Sequence, residues 1–192
     1  PFGEHIQAPY TDRDALKRFA DGLDAVTWEF ENVPIEAVEI LRQWVPTTPS
    51  SKSLYIAQDR IREKEHFRSL GLQTAPFAEA TNVTECKQAI ARMGLPVILK
   101  TCGGGYDGKG QARVHRFDEV DDAWSKLGGG RIVVEGMVAF ERELSVVVAR
   151  SQEGQTVCWP IARNHHEHGV LADSFVPAPN LSTERAQALV DG

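Results

Sequence analysis

Cysteine is scarce in this chain: Cys86, Cys102 and Cys158 are the only three among 192 residues, and no Cys-x-x-Cys pair occurs. That excludes a disulfide framework and a thiolate zinc site, and leaves reduced thiols. Basic charge is also short, with 21 lysines and arginines against 27 acidic residues and a net charge of -6. Extended electrostatic binding of nucleic acid or an anionic membrane is therefore excluded, and any phosphate site has to be a local basic pocket. No apolar run approaches membrane-spanning length, and no basic segment followed by a hydrophobic core opens the chain, so a cytoplasmic location is expected. Internal repeats and low-complexity tracts are missing too. What remains, 42% hydrophobic and 25% charged, is the composition of a soluble protein able to bury a core, in one large domain or two small ones.

Glycine is concentrated where it carries meaning. The run Lys100-Thr101-Cys102-Gly103-Gly104-Gly105-Tyr106-Asp107-Gly108-Lys109-Gly110-Gln111 directly follows the apolar segment Leu95–Leu99. Glycines let backbone N–H groups turn toward an anion, and lysines supply compact positive charge, so this loop suits the phosphates of a nucleoside triphosphate. A Walker loop needs Gly-Lys-Ser/Thr opening a helix, whereas Gly108-Lys109-Gly110-Gln111 leads into the alternating segment Ala112–His115. The context is strand-loop-strand, which also removes the dinucleotide fingerprint. A surface hairpin without a ligand stays open as the alternative. Cys102 lies beside Lys100, a cation placed to lower a thiol pKa, but no histidine is close in sequence and a nucleophilic role is not expected.

Along the chain, Thr11-Asp12-Arg13-Asp14 reads as a helix start, with Leu16, Phe19 and Ala20 at helical spacing and Gly22 as the stop. A strand is expected over Ala25–Phe30, and a helix after Pro34 with Ala37, Val38 and Leu41 on one face. Val45-Pro46-Thr47-Thr48-Pro49-Ser50 has the composition of a linker, which places a domain boundary near residue 48. Beyond it, helices are expected over Leu54–Leu70 before Gly71, over Val83–Met93 before Gly94, over Phe117–Leu127 and over Ser182–Val190. Strands are expected at Ile132–Glu135, Glu143–Ala149 and Thr156–Ile161, the last two as a hairpin, with the apolar run Val146–Ala149 buried on both faces.

Three segments carry further chemistry. Glu135 ends an apolar strand and is followed by Gly136-Met137-Val138, so an acceptor carboxylate, backbone amides and apolar cover meet in the pattern adenine needs; a solvated strand-end glutamate is the alternative. In Phe140-Glu141-Arg142-Glu143-Leu144-Ser145, period two puts Glu141 and Glu143 on one side, where a carboxylate suits a ribose hydroxyl pair; a charged strand end is the bland reading. His165, His166 and His168 with Glu167 invite a metal reading that is set against three solvated histidines in a polar loop.

Taken together, Lys100, Gly105–Gln111, Glu135–Val138 and Glu143 resemble the ATP-grasp family. The octapeptide Gly104–Gln111 narrows the resemblance to the N5-carboxyaminoimidazole ribonucleotide synthases of purine biosynthesis. Supporting segments are 29–34, 58–64, 140–145 and 164–171, so the likeness runs across essentially the whole chain. It implies an α/β (α+β ATP-grasp) fold, with residues 1–48 the end of a Rossmann-like N-terminal domain and 49–192 an ATP-grasp domain cut short. It also implies an ATP-dependent carbon-nitrogen ligase that activates bicarbonate as carboxyphosphate and carboxylates aminoimidazole ribonucleotide.

On this resemblance Arg60 and Lys100 hold ATP phosphates, and Gly105, Tyr106, Asp107, Gly108, Lys109, Gly110 and Gln111 close over the reacting group, with Tyr106, Asp107 and Lys109 nearest to it. Glu135, Gly136, Met137 and Val138 hold adenine, Glu143 the ribose, His166 another part of ATP, and Glu31, with Glu29, the aminoimidazole. Asn164-His165-His166 fits the family without a metal. The expected cofactors are ATP and Mg2+, with the magnesium ligands beyond Gly192, and the expected assembly is a homodimer. A first strand with its glycine turn and the metal-binding part are absent, so a fragment inactive by itself is expected. Another ATP-grasp carboxylase or ligase, or a non-catalytic nucleotide-binding module, is the alternative; Tyr106-Asp107 argues against the formate-using and biotin-dependent relatives.

Overall fold

A computed structural model describes residues 3–104, 110–167, 170–182, 184–186 and 188. The chain forms two compact units, the first running to Gly136 and the second starting at Met137.

In the first unit, helix α1 (Arg13–Ala20) starts where Asp12 accepts the Ala15 N–H at 3.0 Å, and it buries Leu16 and Ala20. Helix α2 (Ile35–Leu41) follows Pro34, whose fixed φ suits a helix start, and turns Ala37, Val38 and Leu41 inward. Leu16, Ala20, Ala37 and Leu41 join Val26 and Val45 in a small core. The strand expected over Ala25–Phe30 is not formed: only Val26 pairs, through a single parallel bridge to Thr47. Val26 donates to Pro46 O at 2.8 Å and accepts from Thr48 N at 3.0 Å. Among the described residues no neighbouring strand extends this bridge, and an isolated strand leaves its backbone groups unpaired. A cavity of about 460 Å³ lies here, lined among others by Leu16, Phe19, Trp28, Glu29 and Val38.

The helical stretch expected over Leu54–Leu70 is two helices, α3 (Ser51–Ala57) and α4 (Arg60–Ser69), with α3 starting three residues earlier. Asp59 separates them as the N-cap of α4: its Oδ1 accepts from the N–H groups of Ile61 and Arg62, both at 3.0 Å. Gly71, with φ 81°, lets the chain leave α4 through the left-handed region. Then come β1 (Phe77–Ala80), α5 (Val83–Met93, capped by Asn82), β2 (Val97–Thr101), β3 (Gln111–Val114), a 3-10 turn (Phe117–Glu119), α6 (Val120–Lys126) and β4 (Ile132–Gly136). The four strands form an antiparallel sheet in the order β1-β4-β2-β3. Antiparallel pairing of β2 with β3 bears out the strand-loop-strand reading of the glycine run.

Period two sorts the faces of this sheet. Val97, Leu99, Val114, Ile132 and Val134 face α5 and α6 and pack with Ile90, Val120 and Trp124 in the main core. Val133 faces the other way and packs with Ile61 of α4 and Cys102. Lys100 and Glu135 share that second face, because Lys100 pairs with Val133 and Ile98 with Glu135. Thus the sheet builds its core on one side and presents charge on the other.

In the second unit, β5 (Glu143–Ser145), β8 (Ala162–Glu167) and β9 (Val170–Phe175) form an antiparallel sheet in the order β5-β8-β9. A separate hairpin pairs β6 (Val148–Arg150) with β7 (Thr156–Cys158). Three readings are corrected here. Glu143–Ala149 is not one strand: it breaks after Ser145, so β5 and β6 pair with different partners. The run Val146–Ala149 is not buried on both faces, since Val147 is 63% and Val148 52% exposed; two strands cover little of each other's faces. The histidine segment up to Glu167 is strand, not loop. Near the chain end, Ser182 Oγ accepts from the Arg185 N–H at 3.3 Å, and residues 184–186 are helical as read.

Ile90→Ala removes a side chain that is fully buried in the main core. It should lower unfolding free energy by about 2 to 5 kcal/mol. Urea denaturation followed by Trp124 fluorescence checks this; a loss below about 1 kcal/mol would mean that the core collapses around the gap.

Candidate active site

The charged face of the first unit is organised by one carboxylate. Glu135 is only 7% exposed, and its two oxygens each meet a lysine: Oε1 pairs with Lys64 Nζ and Oε2 with Lys100 Nζ. Lys100 comes from the adjacent strand β2, diagonal to Glu135 across the ladder, and Lys64 from α4 packed over that face. Burial pushes the Glu135 carboxyl up, but hydrogen bonds and charge from Lys100 and Lys64 outweigh it and hold the pKa below its ordinary range. Two ammonium groups about 4 Å apart repel by about 4 kcal/mol at an effective dielectric near 20. A carboxylate between them offsets that repulsion and holds two cations side by side.

Arg60 stands one helical turn before Lys64, so the two share a face of α4. Its Nε is buried and has no hydrogen-bond partner among the described residues, a charged donor that the chain itself leaves unsatisfied. Glu63 lies in the same field. Burial pushes its carboxyl above the usual range, opposed by Arg60 and Lys64 and aided by the negative charges of Glu31 and Glu135. Glu31 therefore belongs to this cluster; it is partly buried, whereas Glu29 is exposed and lines the apolar cavity.

The N-terminus of α4 is pinned from behind. Asp59, 6% exposed, pairs through Oδ2 with Arg131, which also pairs with Glu79 of β1. Arg60 N donates to Cys102 O at 2.8 Å, so the root of the glycine run is tied to the start of the helix. The Cys102 thiol departs from its reading: burial pushes it up to about 11, against Arg131, and Lys100 is occupied by Glu135. It is a packed side chain, not an activated one.

Of the glycine run, Gly110 accepts from Thr101 N at 2.9 Å and Gln111 pairs with Lys100 across the ladder. Gly105, Tyr106, Asp107, Gly108 and Lys109 lie outside the described residues. Gly136, at the end of β4, donates to Pro76 O at 2.8 Å, and a Cβ there would come within 3.3 Å of Met93 Sδ. The Glu135 carboxylate is not the solvated or free acceptor its position in sequence suggested, because both oxygens are engaged by lysines.

In the second unit, Met137 and Val138 are 38% and 50% exposed. Glu143 and His166 are brought together, with Nδ1 of the imidazole 3.3 Å from the carboxylate Oε1. Glu143 pairs with Asn164 across the ladder, and a register shift between His165 and His166 re-aims the latter. Glu141 is not on the strand; it pairs with its neighbour Arg142. Among the described residues no group of three His, Cys, Asp or Glu side chains is placed to hold a metal, and His168 lies outside them.

Family models agree with this arrangement. Residues 65–191 match the ATP-grasp domain and residues 2–58 the ribonucleotide synthetase preATP-grasp domain. The chain belongs to the ATP-grasp family. A curated relative, the N5-carboxyaminoimidazole ribonucleotide synthase of Pseudomonas aeruginosa, is 43% identical over 169 residues, covering 88% of this chain and 47% of that protein. The crystal structure of the corresponding synthetase from Thermus thermophilus superposes with a TM-score of 0.89 at 39% identity, over 98% of this chain and 51% of that one. An Aspergillus clavatus synthase in complex with ADP and 5-aminoimidazole ribonucleotide gives a TM-score of 0.86 at 25% identity, over 96% and 48% respectively. The chain spans about half the length of the curated relatives it matches.

Within this ATP-grasp chain, Lys64 and Asp59 lie in the segment 58–64 that supports the resemblance but have no role assigned from sequence, and Arg131 is not marked by sequence at all. Lys64 had a signal, its four-residue spacing from Arg60 in a helical segment. Arg131 had none, since its partner Asp59 is 72 residues away.

Glu135→Gln leaves two lysines without their shared anion and should cost about 3 kcal/mol of stability near neutral pH. A carboxylate with a lowered folded pKa contributes fully above its unfolded value, about 4.3, and loses that contribution as pH falls through the folded pKa. The difference between wild type and the variant, read from denaturation midpoints, should therefore hold near neutral pH and narrow as the pH falls below about 4.3; a constant difference would contradict the pairing.

Proposed function

We propose that this chain is the nucleotide-binding part of an enzyme that carboxylates 5-aminoimidazole ribonucleotide on its exocyclic amine, using ATP and bicarbonate, in purine biosynthesis. The observation that carries the reading is the likeness to the Thermus thermophilus synthetase over 98% of this chain at 39% identity. In the chemistry proposed, a bicarbonate oxygen attacks the γ-phosphorus, the bond to ADP breaks, and carboxyphosphate forms. The amine nitrogen then bonds to the carboxyl carbon, phosphate leaves, and the amine proton passes to phosphate or solvent.

The chain's own groups are assigned as follows. In the first unit, the unpartnered Arg60 Nε and the ammonium of Lys100 receive phosphate oxygens, where fixed cations stabilise charge that moves during transfer. Lys64, held on the same carboxylate, joins them. Glu31 faces the aminoimidazole; its place in the cation-rich cluster favours it over Glu29. Tyr106, Asp107 and Lys109 are assigned to the transferred group, with Gly105–Gln111 as the segment that excludes water. In the second unit, Glu143 and His166 contact the ribose and another part of ATP, with Met137 and Val138 beside adenine. Mg2+ would add charge neutralisation on the phosphates when bound. The domain boundary near residue 48, the cytoplasmic location and a homodimer complete the reading.

A chimera in which this chain replaces the matching residues of the Pseudomonas aeruginosa relative tests it. Phosphate release should depend on both bicarbonate and 5-aminoimidazole ribonucleotide, and Arg60→Ala should lower kcat/KM at least roughly 100-fold, the loss of about 2.7 kcal/mol of transition-state stabilisation. A folded chimera that hydrolyses ATP regardless of the ribonucleotide, or not at all, would contradict the proposal.

A further inference from the structure

Gln58 stands between α3 and α4, one residue before the N-cap of α4. Its side-chain Nε2 donates to two main-chain carbonyl oxygens, those of Glu31 and Val33, both at 2.7 Å. A carboxamide has two N–H donors, so this one amide uses its full donor capacity on a single loop. The partners are 27 and 25 residues away, which makes the contact a tertiary clamp and not a local turn.

The main chain of Gln58 is itself fixed. Its N–H donates to Leu54 O at 3.0 Å, closing the last turn of α3. Its carbonyl oxygen would be only 3.2 Å from a Cβ at Gly103, so the root of the glycine run passes directly over it. Two residues on, Arg60 N donates to Cys102 O at 2.8 Å. Residues 58–60 thus hold the glycine run on one side and the loop bearing Glu31 on the other, and both holds lie within the first unit. The Glu31 loop also ends at Pro34, which lacks an N–H and opens α2.

From this juxtaposition we infer that Gln58 is a positioning residue: it fixes the carboxylate of Glu31, on the side of the aminoimidazole substrate, relative to Arg60 and Lys64, on the side of the phosphates. The inference rests on the functional reading above for what Glu31 and Arg60 bind; the clamp itself rests on geometry. The residue type follows from the two acceptors. Glutamate has the same length but presents oxygen to oxygen, methionine has the length without a donor, and asparagine is one methylene shorter. Lysine keeps donors that serve both carbonyls. An active-site group has to be held within about 0.5 Å to be effective, and a loop without a clamp does not hold it so.

The test uses the 192-residue chain with Gln58→Met, Gln58→Asn and Gln58→Lys. Hydrogen exchange of the peptide covering residues 29–35, without ligand, should speed up at least roughly tenfold in Q58M and partly in Q58N, and return to within roughly threefold of wild type in Q58K. Exchange in the strands of the first-unit sheet should stay unchanged, which separates release of the clamp from unfolding; if Q58M does not fold, Q58N decides. In calorimetry, affinity for 5-aminoimidazole ribonucleotide should fall roughly tenfold in Q58M, while that for ATP changes less than roughly twofold. Unchanged exchange in Q58M, or no recovery in Q58K, overturns the clamp. A loosened loop with unchanged ribonucleotide affinity overturns the positioning role. Absence of ribonucleotide binding to wild type overturns the functional reading and the substrate half of the inference together, and the exchange arm still decides the clamp.

Discussion

One buried carboxylate, Glu135, meets the ammonium groups of Lys64 and Lys100, and the charged face of the first unit depends on it. The contact joins three elements: Glu135 on β4, Lys100 on β2 and Lys64 on α4. On the proposed function it also solves an electrostatic problem, because a site for a polyphosphate needs several cations close together before the ligand arrives. Without an anion among them, the helix and the sheet would be pushed apart. With it, the cations are held in place while each ammonium keeps protons for a ligand. The ion-pair chain Asp59–Arg131–Glu79 and the bond from Arg60 N to Cys102 O support the same helix from its start. Arg60 then reaches the site with a buried nitrogen that has no partner among the described residues.

The sheet explains why the face can be charged at all. Alternation along β4 sends Ile132 and Val134 into the main core and Val133 and Glu135 to the opposite side. The fold is stabilised by the first pair, which frees the second side for charge. Lys100 and Cys102, two residues apart, both turn to this second side: Cys102 packs with Ile61 and Val133, and Lys100 meets Glu135.

Local signals in the sequence were legible where the physics is local. The helix start at Thr11–Asp14, the cap at Ser182, the stop at Gly71 and the strand-loop-strand pattern around the glycines depend on residues a few positions apart, and all are found. The place of Lys100 on β2, at the end of an apolar run, was legible for the same reason. What escaped depends on distant partners. The expected strand at Ala25–Phe30 has the right composition but only Thr47 beside it, so composition did not make a strand. The apolar run Val146–Ala149 reads as buried, yet its partner is a single short strand. Lys64, Gln58 and Arg131 are ordinary polar residues in sequence and become notable only when Glu135, Glu31 and Asp59 are brought to them. Glu135 reads in sequence as an acceptor for a ligand, and in the fold both its oxygens meet lysines of the chain itself.

The central claim is that Glu135 pre-assembles Lys64 and Lys100 with Arg60 as one polyphosphate-binding group. Nitrogen-15 NMR of the lysine Nζ and arginine Nε resonances, followed while a non-hydrolysable ATP analogue is added to the chain, tests it most directly. The account predicts that the signals of Lys64, Lys100 and Arg60 move together and saturate on one binding curve. Movement of other side chains with these three unchanged, or no movement of the three at saturating analogue, would contradict it.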